Sequence, residues 1–218
     1  MLDRTRRLKK EVERLQGILD DFLSYVRGPR PSLQRLSLNQ VVREFTDLVA
    51  PGLEKQKLTV SMHLQEGLPE VLADGSLLHQ ALLNLVKNAE QALLGAERHG
   101  EILLSTGLEE RDGRRYVQVS VIDSGPGIDA ETLPELFRPY FSTKPGGTGL
   151  GLPIAQRFVE DQGGELGVES QLGIGTRFTL RLPIADERCE IEAEEAKSGD
   201  SFDFGGGELE GQSEEGEA

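Results

Sequence analysis

The stretch Gly146-Gly147-Thr148-Gly149-Leu150-Gly151-Leu152 runs directly into a helical pattern, and it decides how the middle of this chain folds. Glycines at a helix start let an anion approach the free backbone N–H groups of the first turn, which makes a phosphate cradle. The spacing is neither the P-loop pattern G-x-x-x-x-G-K-S/T nor the dinucleotide fingerprint G-x-G-x-x-G. It therefore predicts a phosphate-binding helix start of another kind.

An aromatic segment, Phe137-Arg138-Pro139-Tyr140-Phe141-Ser142-Thr143-Lys144, precedes this glycine run. It lies inside residues 125–147, which are rich in Gly and Pro and show little regular pattern. Rings in such a stretch predict a loop that is anchored by its aromatic side chains. Lys144 stands just before the glycines, where its point charge can meet a phosphate.

Two asparagines stand upstream in Leu82-Leu83-Asn84-Leu85-Val86-Lys87-Asn88-Ala89, a helical pattern. Asn84 and Asn88 are at i and i+4, so both amides project from one face, while the apolar neighbours point mostly into the core. Amides on a mostly buried helix need polar partners. A hydrated Mg²⁺, which takes oxygen ligands and keeps several waters, would supply them. Hydrogen bonds from both amides to the backbone are the alternative.

A further polar cluster, Asp123-Ser124-Gly125-Pro126-Gly127-Ile128, lies where a strand pattern ends. Its glycines permit close backbone approach and unusual φ angles. The carboxylate of Asp123 can accept a hydrogen bond from an exocyclic amine such as N6 of adenine. An ordinary turn is the alternative for this cluster taken alone.

Around these clusters, helical and strand patterns alternate. Helical periodicity covers 38–55, 76–94 and 150–162, with Asp74 as the expected cap of the second helix. Strand patterns cover 58–64, 101–106, 116–123, 165–170 and 176–182. This order predicts an α+β fold, a two-layer α/β sandwich.

The first segment, residues 1–30, predicts one long helix. Leu8, Val12, Leu15, Leu19, Phe22 and Val26 follow the heptad rhythm of a helical bundle, and Gly28-Pro29-Arg30-Pro31 then stops the helix. Packing of this helix on its own domain is the alternative to an intermolecular bundle.

Charge is distributed unevenly along the 218 residues, whose formal net charge is −14. Residues 186–218 hold thirteen Asp and Glu against two basic residues, which leaves only −3 for the first 185. The tail is therefore expected to be disordered, and nucleic acid is not an expected partner. A disulfide framework, a zinc site, a signal peptide and a membrane segment are not expected either.

Taken together and in order, these clusters resemble the ATP-binding catalytic domain of bacterial sensor histidine kinases. That domain belongs to the GHKL superfamily, with gyrase, Hsp90 and MutL. Asn84 and Asn88 match its N box, and residues 123–127, 137–141 and 147–152 match the G1, F and G2 boxes. Residues 173–178 match the closing G-x-G-T-x-F pattern. The resemblance covers about 33–184 and looks most like the nitrogen-regulation branch.

The resemblance implies the Bergerat ATP-binding fold, with ATP and Mg²⁺ as cofactors. Asn88 and Asn84 would coordinate Mg²⁺ on the phosphates, and Asn84 and Lys144 are the expected catalytic residues. Asp123 would read adenine, with Thr176 supporting it through water, and a lid over 128–147 would close on the triphosphate. The implied ATP-binding set is Asn84, Asn88, Asp123, Gly125, Gly127, Lys144, Gly147, Thr148, Gly149, Leu150, Gly151 and Thr176.

Two departures from the family pattern shape the expected activity. ATP-hydrolysing relatives carry a Glu base where this chain has Asn84, so efficient hydrolysis is not expected. Helix 1–27 resembles the second helix of the family's dimerisation and phosphotransfer hairpin, and the first helix, with the acceptor histidine, is missing from the sequence. His63, His79 and His99 lack the acceptor's setting and are expected to be structural.

The sequence is thus interpreted as three parts: half a dimerisation hairpin (1–30), an ATP-binding catalytic domain (33–185) and an acidic tail (186–218). It is expected to be a cytoplasmic protein histidine kinase fragment, inactive alone, that forms a homodimer through helix 1–27. The implied partner is the receiver domain of a response regulator. A non-catalytic ATP-binding regulatory module and an ATP-hydrolysing GHKL machine are the alternatives.

Overall fold

The computed structural model describes residues 30–96, 100–144 and 147–185, together with Val12, Leu19 and Leu23. Its helices are α1 (Leu38–Lys55), α2 (Gly75–Gly95) and α3 (Gly151–Glu160), with a 3-10 turn at Leu133–Glu135. Its strands are β1 (Gln34–Leu36), β2 (Thr59–Leu64), β3 (Val71–Ala73), β4 (Glu101–Arg111), β5 (Arg114–Asp123), β6 (Glu165–Gln171) and β7 (Gly175–Pro183).

Five strands form one mixed sheet in the order β2-β4-β5-β7-β6. The β2–β4 pair is parallel and the other pairs are antiparallel. Strands β1 and β3 form a separate antiparallel pair. The three helices cover one face of the large sheet, so the predicted two-layer α/β sandwich is confirmed.

The core lies between the sheet and the helices. Along β5, Val117, Val119 and Val121 are buried against it, because alternate side chains of a strand share a face. The helices contribute Phe45 from α1 and Phe158 from α3, both about 1% exposed. This packing fixes α2 and α3 side by side over the sheet.

Helix α2, which carries the two asparagines, begins as the sequence predicts. Asp74 is its N-cap residue, and the Asp74 carboxylate accepts hydrogen bonds from the backbone N–H groups of Ser76 and Leu77. The other carboxylate oxygen of Asp74 accepts from the N–H of Ser32 at 2.8 Å, which ties the chain entering the domain to the start of α2.

Two features of the fold were not predicted. The three-residue strands β1 and β3 were missed, since a strand of that length is too short to show a period. The prediction also ended β4 at Thr106, whereas β4 continues to Arg111. There the chain reverses through Asp112 and Gly113, whose φ angles of 54° and 75° are those of a two-residue hairpin turn.

Most of the predicted helix 1–27 and the whole acidic tail lie outside the described residues. Val12, Leu19 and Leu23 are helical and exposed, at 51%, 55% and 43%. No helix in the described part of the chain has the length and apolarity that crossing a bilayer requires.

Candidate nucleotide-binding site

One face of α2 forms a wall of a cavity of about 320 Å³. Asn84, Lys87, Asn88 and Gln91 all line it, because residues at i, i+3, i+4 and i+7 share a helical face. The other lining residues come from the aromatic segment and the glycine run: Leu136, Phe141, Ser142, Thr143, Lys144, Gly147, Thr148, Gly149, Gly151, Leu152 and Pro153.

The first turn of α3 forms a second wall of the cavity. Its N-cap residue, Leu150, has no side-chain acceptor for the first backbone N–H groups of the helix. A Cβ atom on Gly151 would lie 3.8 Å from Oδ1 of Asn84, so the helix start and the Asn84 amide are adjacent. A helix N-terminus of this kind favours an anion, and the absence of a side chain at Gly151 keeps the approach open.

Lys144 connects the lid segment to α2 across the cavity. Its Nζ donates to Oδ1 of Asn88 at 2.7 Å, to the Asn88 carbonyl at 3.1 Å and to Oε1 of Gln91 at 3.4 Å. Burial lowers the pKa of Lys144 below its ordinary value, and the negative charge of Asp123 acts in the opposite direction.

Asp123 is only 4% exposed and lies at the end of β5, on the face that packs against the helices. Burial raises the pKa of its carboxyl group. Hydrogen bonds from the backbone of Gly125 and Thr176, and the charge of Lys144, act to lower that pKa. A desolvated carboxylate near a partly buried ammonium is an arrangement that occurs often at functional sites.

Thr176 stands beside Asp123 in the neighbouring strand. Its hydroxyl lies 2.9 Å from the Ser170 hydroxyl, which donates to the Gly175 carbonyl and accepts from the N–H of Ile128. The start of the lid segment is therefore hydrogen-bonded to the edge of the sheet.

Glycine is required at positions 127 and 149, because the backbone of another segment packs closely against each of them. At Gly127, with φ of 72°, a Cβ atom would lie 2.1 Å from the Gln171 carbonyl oxygen. At Gly149, with φ of 66°, it would lie 2.5 Å from the Tyr140 carbonyl carbon. Tyr140 itself has a positive φ of 66° and donates its N–H to the Gly149 carbonyl, so the aromatic segment is fastened to the glycine run.

The structure brings together most, but not all, of the predicted site residues around this cavity. Asn84, Asn88, Lys144, Gly147, Thr148, Gly149 and Gly151 line it. Leu150 is buried beneath it at 1% exposure, and Gly146 lies outside the described residues. Gly125 does not line it, but a Cβ atom there would lie 2.6 Å from Oδ1 of Asp123. Gly127 shapes the turn.

Asp123 and Thr176 border a second depression, of about 600 Å³, rather than the first cavity. Its side chains include Leu103, Ile122 and Arg177, which form one cross-strand row on the sheet face opposite the helices. The Asp123 side chain belongs to the other face. We therefore assign the Asp123 side chain to the helix side of the sheet. There its carboxylate accepts a hydrogen bond from the N–H of Gly125 and interacts electrostatically with Lys144.

Eight of the residues that line the cavity were not among the predicted site residues: Lys87, Gln91, Leu136, Phe141, Ser142, Thr143, Leu152 and Pro153. Lys87 and Gln91 could have been predicted, because they follow Asn84 by three and seven residues and so share its helical face. No sequence signal indicated which rings of the aromatic segment turn inward.

Neither described histidine lines the cavity. His63 is exposed on the edge strand β2. His79 packs against Phe45, with ring centroids 6.0 Å apart, and its Nε2 has no hydrogen-bond partner. His99 lies outside the described residues.

The cavity has the donor set for a hard cation. The oxygens of Asn88 and Gln91 already surround one positive charge, the Lys144 ammonium. Amide and carbonyl oxygens are also ligands that Mg²⁺ accepts. Within the described ranges there is no group of three His, Cys, Asp or Glu that could hold a metal by itself.

Comparison with known proteins agrees with this geometry. The family model described as histidine kinase-, DNA gyrase B-, and HSP90-like ATPase matches residues 73–186. The chain belongs to this family. Its fold and its ATP-binding domain are those of the histidine-kinase type, as the sequence predicts.

Curated relatives include the sensor histidine kinase ZraS of Escherichia coli, 39% identical over 177 residues. The sensory histidine kinase/phosphatase NtrB of Vibrio alginolyticus is 34% identical over 182 residues. The alignments cover 81% and 80% of this chain but only 37% and 50% of the relatives. The chain thus spans at most about half the length of either protein.

Two solved structures are similar in fold. Full-length ShkA in complex with AMPPNP aligns at a TM-score of 0.72 and 29% identity, covering 84% of this chain and 38% of ShkA. Histidine kinase ThkA in complex with response regulator protein TrrA aligns at 0.66 and 27%, covering 83% of this chain and 50% of that one.

Proposed function

We propose that this chain binds Mg²⁺–ATP in the cavity between α2 and α3 and presents the γ-phosphoryl group to a histidine on a helix of a dimerisation hairpin. The observation that carries the proposal is that Asn84, Asn88 and Lys144 line the same cavity as the open N-terminus of α3. The likeness to ShkA with AMPPNP, an ATP analogue, supports the nucleotide assignment.

The phosphate end of the nucleotide is assigned to α3. The backbone N–H groups at Gly149 and Gly151 would donate to phosphate oxygens, and the helix dipole favours negative charge there. Asn88 and Asn84 would hold Mg²⁺ through their amide oxygens. When bound, Mg²⁺ would neutralise charge on the phosphates, which is the main requirement of phosphoryl transfer.

The base end is assigned to Asp123. Its carboxylate would accept the hydrogen bond of the adenine N6 amine, with Thr176 as a supporting group. Because Asp123 is nearly fully buried, a base with the wrong donor pattern would leave its carboxylate without a partner.

The chemistry favours transfer to a protein group over hydrolysis. None of the described residues that line the cavity is an Asp or Glu, so the cavity offers no carboxylate base for a water molecule. A neutral imidazole nitrogen is itself a nucleophile. As its bond to the γ-phosphorus forms, the bond from that phosphorus to the bridging oxygen breaks and ADP leaves.

The acceptor helix and the response regulator are proposed as partners. The heptad pattern of residues 1–27 and the exposure of Val12 and Leu19 support pairing with helices of a bundle and a homodimer. The ThkA–TrrA complex supports a response-regulator receiver domain, whose Asp would take the phosphoryl group from the phosphohistidine.

A phosphoryl assay tests the proposal. The chain is mixed with γ-labelled ATP, Mg²⁺ and a separate dimerisation hairpin from a related kinase, with a His→Gln hairpin as the matched control. Acid-labile label on the histidine-bearing hairpin alone is expected. Normal ATP binding without any labelling would favour the alternative, a regulatory ATP-binding module.

A further inference from the structure

We propose that Lys87 is the residue that contacts the distal phosphate and gives the cavity its preference for ATP over ADP. This inference rests on the proposed function, since it assigns a role within the same nucleotide site. Lys87 is exposed at the rim of the cavity, between the two asparagines of α2 in sequence.

The direction of the nucleotide along α2 follows from contacts at the two ends of the cavity. At one end, Cβ of Ala92 lies 3.5 Å from where a Cβ atom of Gly125 would be, so this end adjoins the Asp123 turn. At the other end, Asn84 is adjacent to Gly151 at the start of α3. The helical rise separates Ala92 from Asn84 by about 12 Å.

Lys87 lies in the half of this span that is nearer α3. It is three residues from Asn84 and about 7.5 Å along the helix axis from Ala92. A nucleotide with its base at Asp123 therefore places its last phosphate near Lys87. Lys144 lies closer to the end of the cavity assigned to the base. There its ammonium contacts Gln91 and interacts electrostatically with Asp123.

The two cavity lysines differ in how their charge is satisfied. The Lys144 ammonium donates to three acceptors on α2. Among the residues that the structure describes, none forms a hydrogen bond or an ion pair with the Lys87 side chain, which is exposed. Its flexible stem and compact charge are suited to a phosphate. Because ADP lacks the γ-phosphoryl group, a contact to that group raises affinity for ATP alone.

Calorimetric titration of the full chain with Mg²⁺–ATP and with Mg²⁺–ADP tests this assignment. For Lys87→Gln we expect ATP affinity to fall at least about tenfold and ADP affinity by less than about threefold. Lys87→Arg should keep most of the preference, since it keeps the charge. Lys55→Gln, at an exposed helical lysine outside the cavity, is the matched control and should change neither affinity.

The outcomes separate this inference from the function on which it rests. Equal losses for ATP and ADP in Lys87→Gln, or no loss at all, would overturn the distal-phosphate role while ATP binding by the wild-type chain still stands. Failure of the wild-type chain to bind ATP would overturn both. Unchanged melting temperatures for the three variants would show that the affinities report on the site and not on folding.

Discussion

Nζ of Lys144 lies 2.7 Å from Oδ1 of Asn88 and 3.1 Å from the carbonyl oxygen of the same residue. One lid lysine thus binds both oxygens of the asparagine that we propose as a Mg²⁺ ligand. Oδ1 of Asn88 cannot accept this hydrogen bond from the Lys144 ammonium and coordinate a metal ion in the same position at the same time. Nucleotide binding should therefore move Lys144 from Asn88 toward a phosphate.

Asn88→Ala should abolish Mg²⁺-dependent ATP binding while leaving the fold intact. The substitution removes the amide oxygen, and Ala is a better helix former than Asn in the interior of α2. Titration with and without Mg²⁺ measures the effect, and we expect a loss of at least about tenfold in the presence of the metal. Full-strength binding by the wild-type chain without any divalent metal would contradict the ligand assignment.

Asp123→Asn should change both base selection and the pH dependence of stability. The Asn side chain cannot replace both acceptor oxygens, so we expect ATP affinity to fall about tenfold and the preference for ATP over GTP to relax. Equal losses for the two nucleotides would mean that Asp123 only shapes the turn.

The pH arm of this experiment follows from the raised pKa of Asp123, whose ordinary value is 3.8. Between pH 3.8 and the raised pKa, Asp123 keeps its proton in the folded chain but has released it in the unfolded chain. The contribution of Asp123 to stability therefore falls as pH rises through that window. The stability of Asp123→Asn relative to wild type should therefore rise over the same window. Melting curves from acid to neutral pH would show this, and a pH-independent difference would contradict it.

The fold and much of the site could be predicted because their signals are local. The helix α1 has the bounds that periodicity gives, 38–55, and Asp74 caps α2 as its position predicts. Strands β1 and β3 could not be predicted, since each holds only three residues and depends on long-range pairing, such as Gln34 with Ala73. Their formation is a tertiary effect.

The polar contacts of the site also depend on long-range folding, which limits how far they can be predicted from the sequence. The sequence indicated Asn88 and Lys144 separately, but not that these two residues, 56 positions apart, would be brought into hydrogen-bond contact. Lys87 and Gln91 were missed because a lysine and a glutamine on a helix usually face solvent. That face becomes a wall of a cavity only because the lid segment and α3 pack beside it in the folded domain.

Gly127→Ala should destabilise the domain more than Gly67→Ala. Both glycines have φ of 72°, so backbone strain in the left-handed region, about 1–2 kcal/mol, is common to the two variants. A Cβ atom at Gly127 would also meet the Gln171 carbonyl at 2.1 Å, whereas nothing lies within 4 Å at Gly67. Overpacking adds about 1–3 kcal/mol, and chemical denaturation would measure the difference. Equal losses would contradict the steric role of Gly127.

Truncation after Ala185 should leave stability and nucleotide affinity nearly unchanged. The N–H of Ala185 donates to the Glu70 carbonyl at 2.9 Å, and the acidic residues beyond it have little apolar surface to bury. Truncation after Pro183 is the control, because it also removes the buried Ile184 side chain and should cost about 2–5 kcal/mol. A large fall in melting temperature for the longer form would mean that the tail docks on the domain.

Incubated alone with γ-labelled ATP and Mg²⁺, the chain should acquire no acid-labile phosphohistidine. Phosphoryl transfer requires the nucleophile in line with the γ-phosphate and at near-attack distance. His79 lies on α2 about a turn and a half before Asn84, and its ring packs on Phe45 outside the cavity. His63 is on the edge strand β2, and its exposed ring does not line the cavity either.

Fusion of an acceptor helix upstream of Met1 should restore labelling, because the heptad seam of residues 1–27 can then pair with it and bring its histidine to the cavity. Mass spectrometry after mild base treatment locates the label, and a fusion with His→Gln in the acceptor helix is the matched control. Label on His63, His79 or His99 of the chain alone would overturn this account of the acceptor. A fusion that binds ATP normally and still takes no label would show that the output of the domain is conformational, since the phosphate site and the nucleophile would both be present.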